Sequence, residues 1–308
     1  MSNTPKLNSK KTFERQGKIF AYSMVLFAVV HFIIFFIYLN FEQFRMAFCF
    51  EKADGSEEYS FRNFIEIFES FKLPKEQSAA QFALINTVLY WIVGAVKLII
   101  TVFVSYFIWK KVPGHGIFMF IFFLPSIIPS VMYITSFKSL LSTGGILSSW
   151  SLEIFGQRFP EMITHNTITN TMLWFTLWGG FGVNMLIYVG AFGRIPDSVI
   201  DAAKIDGCGW VRELWSITIP LIWETLSVML ILNVSTIFTA TGPILLFLGE
   251  GNMHVIQSYT ITYWIYALVY KKDLYFASAI SILFTVLAIP LVVITRIIVS
   301  KMNKEVTY

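Results

Sequence analysis

The chain has 308 residues, of which 56 % are hydrophobic and 14 % charged, and its net charge is +4. Soluble domains carry about 25 % charged residues, so the composition excludes a soluble enzyme, a disordered chain and a disulfide-stapled secreted module. Its long apolar runs and mean hydropathy of +0.67 predict an all-α polytopic membrane protein.

A hydrocarbon core about 30 Å thick needs about 20 apolar residues per helix. The first such run is Ile19–Leu39, whose only ionisable residue is His31. It is too long for a signal-peptide core and no small-residue cleavage site follows, so it reads as an uncleaved span. Next comes a polar segment, 41–80, in which Phe61, Phe64, Ile65, Ile67, Phe68 and Phe71 have helical spacing and predict a short amphipathic helix. Further spans are expected at about 84–108, 117–139, 168–192, 222–247 and 276–299, six in all. Between them, 142–165 carries the turn sequence Ser142-Thr143-Gly144-Gly145. The stretch 255–270 is interrupted by Gln257, Ser258, Thr260 and Thr262, which favours a re-entrant or interfacial helix over a seventh span. Open sheets are excluded at membrane depth because lipid cannot satisfy their edge groups.

Charge sets the orientation. Residues 1–18, 110–116, 193–221 and 296–308 hold 13 basic and 6 acidic residues, whereas 42–80, 142–165 and 249–275 hold 8 basic and 12 acidic. The nets of +7 and −4 form a positive-inside pattern with both termini cytoplasmic. The basic N-terminus therefore reads as a topology signal facing anionic lipid, with no nucleic acid expected. Cys49 and Cys208 fall on opposite sides and should not pair, and no Cys/His cluster suggests a metal site.

The cytoplasmic segment 193–221 is more than a connector. Pro196 precedes Asp197 and Ser198, either of which can cap a helix, and Ser198 with Asp201 is a variant capping box. Val199, Ala202, Ala203 and Ile205 give a small, mildly apolar helix surface. Gly207 suits the left-handed residue that ends a helix. Trp210–Trp215 reads as a second short helix, and Pro220 marks entry to the fifth span.

This segment resembles the cytoplasmic motif of permease subunits of binding-protein-dependent ABC importers: Glu-Ala-Ala, three residues, Gly, nine residues, Ile, one residue, Leu-Pro. Here it reads Asp201-Ala202-Ala203, Gly207, Ile217 and Ile219-Pro220 at the same spacing, with Asp201 for Glu and Ile219 for Leu. Ile195-Pro196, Ile205-Asp206-Gly207, Asn86-Thr87, Leu124-Pro125 and Ile128-Pro129 are similar to the sugar-importer branch. Phe238 with Thr241-Gly242-Pro243 resembles the larger-permease type of the maltose importers. The likeness covers about 80–300.

The resemblance implies the type I ABC importer transmembrane fold, with a permease core at 81–300 preceded by an N-terminal segment (1–18) and a first span with its external segment (19–80), and followed by a tail (301–308). It implies that Asp201, Ala202, Ala203, Asp206, Gly207, Ile217, Ile219 and Pro220 couple the chain to an ATPase. It also implies a bacterial inner (cytoplasmic) membrane location, a second non-identical permease, two ATPase subunits, an extracytoplasmic solute-binding protein and a carbohydrate cargo, an oligosaccharide or related polyol. ATP and Mg would be bound by the ATPase subunits, since no phosphate-loop sequence occurs in the chain. No catalytic residue and no cofactor are expected here.

Ionisable groups within spans are functional candidates because they are costly in lipid. Lys97 lies about twelve residues from Lys110; it either faces the translocation path or pairs with a carbonyl or carboxylate between helices. His31 makes a weaker case of the same kind. In the fifth span Asn233, Ser235, Thr236 and Thr239 can bind sugar hydroxyls or join helices. Trp174 and Trp178 offer faces on which a sugar ring can stack. Pro125 and Pro129 free backbone groups in the third span, which places it near the path. Two rivals lack support: an ion-driven secondary transporter needs intramembrane carboxylates, and no Asp or Glu lies mid-span, while a membrane-embedded enzyme needs convergent His, Asp or Cys groups.

Overall fold

The computed structural model describes residues 7–51, 55–164, 167–239, 242–249 and 255–302. Its elements in chain order are α1 (Leu7–Phe32), a π-helical turn Ile33–Tyr38, α2 (Leu39–Ala47), a hairpin of β1 (Cys49–Glu51) and β2 (Glu57–Tyr59), α3 (Arg62–Ser70), α4 (Ala79–Trp109), α5 (His115–Ile127), α6 (Ser130–Leu141) and α7 (Ile146–Phe155). There follow α8 (Ile168–Trp178), α9 (Gly182–Phe192), α10 (Asp197–Ile205), α11 (Trp210–Glu213), a π turn Leu214–Thr218, α12 (Ile219–Leu221), α13 (Trp223–Ser235), α14 (Ile244–Leu248), α15 (Ile261–Tyr270) and α16 (Leu274–Met302). Four helical stretches are long and apolar enough to cross a membrane: Arg15–Ala47, Ala79–Trp109, Ile168–Phe192 and Leu274–Met302. Two bent pairs can bring the number to six, the number that hydropathy indicates.

The expected spans need three corrections. The first helix does not end at Leu39 but continues through its π turn to Ala47, because its last part, α2, packs against α16, where the Gln43 side chain donates to the Ser281 hydroxyl at 2.7 Å. The third span is not a single helix over 117–139. It breaks at Ile128–Pro129, both extended, and the two pieces meet at 105°. Proline lacks an N–H and disfavours helix at the residue before it, which explains Ile128; Pro125 stays inside α5. The fifth span does not run from 222 to 247. Its helix stops at Ser235, passes through turns at 236–239, and resumes only as the five-residue α14 after Gly242 (φ +60°) and Pro243. Thr241 lies outside the described residues.

Other expectations hold in altered form. The amphipathic stretch 61–71 is α3, which buries Asn63 and Ile67. The stretch 255–270 holds a 3₁₀ turn, Ile256–Ser258, and the ten-residue α15, whose Ile261, Tyr263, Trp264 and Ala267 are buried in the protein; at ten residues α15 is shorter than a span. The fourth span is interrupted at Gly179–Gly180, where Gly180 has φ +73°.

The long helix α4 is the axis of the packing and touches α3, α5, α8, α9, α13 and α15. The buried side chains fall into two cores strung along it. One contains Tyr90 with Met172, Phe175, Phe247, Trp264 and Phe284. The other contains Val102 and Tyr106 with Tyr188, Phe192, Ile200, Leu214 and Leu226. Lys97 lies on α4 between them. From residue 15 through residue 41 the first helix is exposed along its whole length, a surface that suits lipid and helix partners.

Candidate functional site: a docking loop and a broken-helix cavity

The segment 193–221 is folded against the second core. Helix α10 buries Ile200 and Ala203 and exposes Asp201, Ala202 and Asp206. Neither Asp197 nor Ser198 caps it, contrary to the sequence expectation. Pro196 occupies the N-cap position without a side-chain bond, and its fixed φ presets the first turn. Asp201 is paired with Lys204 at 2.9 Å within the helix, and this partner holds the Lys204 ammonium above its usual pKa. The C-terminus closes as expected at Gly207, which has φ +70°. The Cys208 N–H donates to the Ala203 carbonyl at 2.9 Å and the Gly207 N–H to the Lys204 carbonyl at 3.0 Å, the reciprocal pair of a Schellman ending. This sharp stop leaves Ile205 86 % exposed. The second helix of the loop does not end at Trp215. It runs from Trp210 to Leu221 through a π turn, then bends by 78° into α13, with Ile217 and Ile219 half-buried and Pro220 exposed.

One residue that the sequence reading passed over pins this loop to α4. Glu213, only 6 % exposed at its side chain, forms an ion pair with Lys110 and accepts a hydrogen bond from the Tyr106 hydroxyl at 3.1 Å. Lys110 also lies over the Trp109 ring, 5.0 Å from its centroid. The only sequence signal was a single acidic residue, beside Arg212, in a short helical run rich in Trp, Val and Leu.

The mid-chain candidates separate into distinct cavities. Lys97 lines a cavity of about 570 Å³ with Pro125, Ile128, Ser130, Tyr133, Thr176 and Gly180, among others. Three interruptions meet there: Ile128–Pro129, Gly179–Gly180 and Gly242–Pro243. Asn233 and Thr236 line a neighbouring cavity of about 190 Å³ with Tyr90 and Trp91, and the two cavities share Thr176 and Gly242. Thus Lys97, Asn233 and Thr236 are brought together. Ser235 and Thr239 line a different cavity, toward α15 and α16. Trp178 is stacked on Tyr133 and Phe137 at centroid distances of 5.5 and 6.1 Å and lines another cavity that shares Tyr133 with that of Lys97, so Trp178 also adjoins the Lys97 cavity while Ser235 and Thr239 lie apart from it. Trp174 is exposed, and the His31 ring stacks among Phe27 and Phe35 along the first helix.

Beyond the cavity, α4 also holds the segment before α15. The Asn86 side-chain amide donates to the carbonyls of Gln257 and Tyr259, both at 2.8 Å, and the Thr87 hydroxyl accepts from the Ile261 N–H at 2.9 Å. Among the described residues no group of three His, Cys, Asp or Glu side chains gathers as a metal site would. Both cysteines are free thiols, Cys49 buried in the hairpin and Cys208 in the loop.

Comparison with known proteins places this geometry. Residues 98–305 match the family described as binding-protein-dependent transport system inner membrane component. The chain is 25 % identical over 217 residues to the multiple sugar-binding transport system permease protein MsmF of Streptococcus mutans, covering 70 % of this chain and 73 % of that one. It is 23 % identical over 258 residues to the polygalacturonan/rhamnogalacturonan transport system permease protein YteP of Bacillus subtilis, covering 82 % and 78 %. Two crystal structures of a bacterial alginate ABC transporter superpose at TM-scores of 0.78 and 0.76. Each covers 96 % of this chain, and they cover 100 % and 98 % of their own, at 18 % and 19 % identity. The second contains an alginate pentasaccharide-bound periplasmic protein. At that identity the likeness is one of fold.

Proposed function

Because the chain belongs to the family of binding-protein-dependent transport system inner membrane components, we propose that it is one of two permease subunits of an ABC importer for a carbohydrate. The assembly comprises a second, non-identical permease, two ATPase subunits that bind ATP and Mg, and an extracytoplasmic binding protein. Both termini and the loop 193–221 face the cytoplasm, in line with the polarised charge.

The observation that carries this reading is the loop itself. It places Asp201, Ala202, Ala203, Asp206, Gly207, Ile217, Ile219 and Pro220 at the family spacing on a folded, exposed pair of helices with Ile205 projecting. An exposed isoleucine at the tip of a capped helix is a knob for a groove on another subunit. The small Ala202 allows close approach beside it.

Mechanically, α4 is the lever. Its 31 residues span about 46 Å at 1.5 Å per residue. One end is clamped to the loop through Lys110, Tyr106 and Glu213. Its middle presents Lys97 to the broken-helix cavity, and its far end holds the Gln257–Ile261 segment through Asn86 and Thr87. Displacement of the loop by closing ATPase subunits moves this rod, and packed interfaces convert such shifts into discrete rearrangements. ATP and the loaded binding protein drive the switch only through their different affinities for its two states. Lys97, Asn233 and Thr236 form the part of the solute path contributed at mid-depth. Trp178 flanks this part through Tyr133, whereas Ser235 and Thr239 belong to the path only in another state of the cycle.

The test is co-purification and uptake. The intact chain co-purifies with an ATPase subunit, and Gly207→Asp abolishes uptake while the protein remains in the membrane. Absence of any associated ATPase, or unchanged uptake in Gly207→Asp, overturns the reading.

A further inference from the structure

We propose that Lys97 makes the solute path selective for saccharides that carry a carboxylate; the proposal rests on the carbohydrate reading above and names the class of cargo. The Lys97 ammonium has a single hydrogen bond, to the Thr176 carbonyl at 3.3 Å. That is longer than the 2.7–2.9 Å of a charge-assisted bond. Among the described residues no carboxylate lies within the 4.0 Å of an ion pair from it. The ring of Phe181, 5.8 Å away, is its other charged-group contact. An ammonium has three donors, so two of them are open to the cavity.

The surroundings of this charge are matched to an acceptor. Gly180 keeps the approach open: with φ +73°, a Cβ at that position would stand 2.9 Å from the Lys97 Nζ. The N-terminus of α6, a twelve-residue helix without a side-chain cap, begins at this cavity with Ser130. Its first N–H groups carry partial positive charge that favours an anion. The Tyr133 hydroxyl on the same cavity and the Tyr90 hydroxyl on the adjoining one are buried with no hydrogen-bond partner, and Tyr90 is only 7 % exposed. Buried polar groups in native proteins are generally paired. The Lys97 cavity therefore offers an ammonium without a counter-charge, the unpartnered Tyr133 hydroxyl and the hydroxyls of Ser126 and Ser130. A neutral saccharide can satisfy the hydroxyls, but only an anionic group compensates the ammonium. The saccharide group that does both is an ionised uronate.

The experiment uses the assembled complex of this chain with its partner permease and ATPase subunits in detergent, without the binding protein, so that the path alone is read. Equilibrium binding is measured for radiolabelled trigalacturonate and for its carboxyl-reduced, neutral counterpart, galactotriose. Wild type should bind the acid at least about tenfold more tightly, the yield of one additional charge-assisted bond. The preference should survive Lys97→Arg, disappear in Lys97→Gln, and weaken with salt. Binding of both sugars without preference in wild type, or a preference untouched by Lys97→Gln, overturns this proposal and leaves the carbohydrate reading standing. Binding of neither sugar overturns that reading, and the proposal with it. If Lys97→Gln does not assemble, Lys97→Met serves in its place, and absence of a wild-type preference overturns the proposal in either case.

Discussion

Two buried ionic positions lie on one helix, and they are built in opposite ways. At the loop end of α4, Glu213 is enclosed with Lys110 and a tyrosine hydroxyl. At mid-helix, Lys97 meets one carbonyl and open cavity. A charge whose counter-charge is supplied by the fold serves the fold, because it has nothing left to offer a ligand. A charge left without one is a cost that folding does not recover, and a bound solute is what can offset it. The same contrast separates the two ends of α4 from its middle: Asn86 and Thr87, like Glu213, spend their hydrogen bonds within the chain.

The contrast is sharpest at Glu213. Glu213→Ala strands Lys110 and should destabilise the complex by roughly 3–5 kcal/mol, as removal of one member of a buried pair does. Lys110→Met combined with Glu213→Leu should recover most of that, since an apolar pair of similar volume replaces the ionic one. Thermal unfolding of the purified complex reads both, and a single variant as stable as wild type would break the comparison. Next in size is Asn86→Leu, which removes two buried hydrogen bonds, to the Gln257 and Tyr259 carbonyls, and should cost about 2–3 kcal/mol. The released segment should show faster labelling of a cysteine introduced at Gln257.

Gly207→Val forces a β-branched residue into a left-handed conformation and should cost about 1–2 kcal/mol. Open space surrounds the position, so Gly207→Asn, which tolerates that conformation, should lose less. Proteolytic nicking between α10 and α11 distinguishes the two. Lys97→Met should change stability by less than about 1 kcal/mol, or raise it, because an unpaired charge is removed. A large loss there would mean that Lys97 is structural after all.

The smallest effect belongs to the β1–β2 hairpin. The Glu57 carboxyl lies below its usual 4.5 because it accepts hydrogen bonds from Arg45 and Tyr275. A lowered folded-state pKa contributes stability that is present above the unfolded value and lost as pH falls through the folded one. The hairpin should therefore resist protease at pH 6 and 5 equally and loosen only below about 4.5. Glu57→Gln should remove that dependence.

Much of the architecture was legible because it depends on local averages. Twenty apolar residues imply a span wherever they occur, and charge bias orients loops one by one. The docking loop was legible for the same reason: Gly207 needs its φ and Ala202-Ala203 their spacing within one short segment. The helix breaks were legible only as warnings. Pro129 and the Gly179-Gly180 pair marked where the ladder weakens, yet the 105° bend depends on what packs on either side. The fifth span misled because Ile244–Leu248 is apolar enough to continue a helix that Gly242 and Pro243 interrupt. Glu213 was invisible as an anchor, since its partner Lys110 lies more than a hundred residues away.

Sequence alone determined a helical membrane permease with a polarised charge and the family's motif after its fourth apolar run, because hydropathy, charge bias and turn chemistry act over a few residues at a time. It proposed Lys97, Trp178, Asn233, Ser235, Thr236 and Thr239 as one group. Packing divided that group among separate cavities: those of Asn233 with Thr236 and of Trp178 adjoin the Lys97 cavity, and that of Ser235 and Thr239 does not. Which face of a helix meets a cavity depends on its rotation against its neighbours, and that rotation is decided by contacts between residues far apart in the chain.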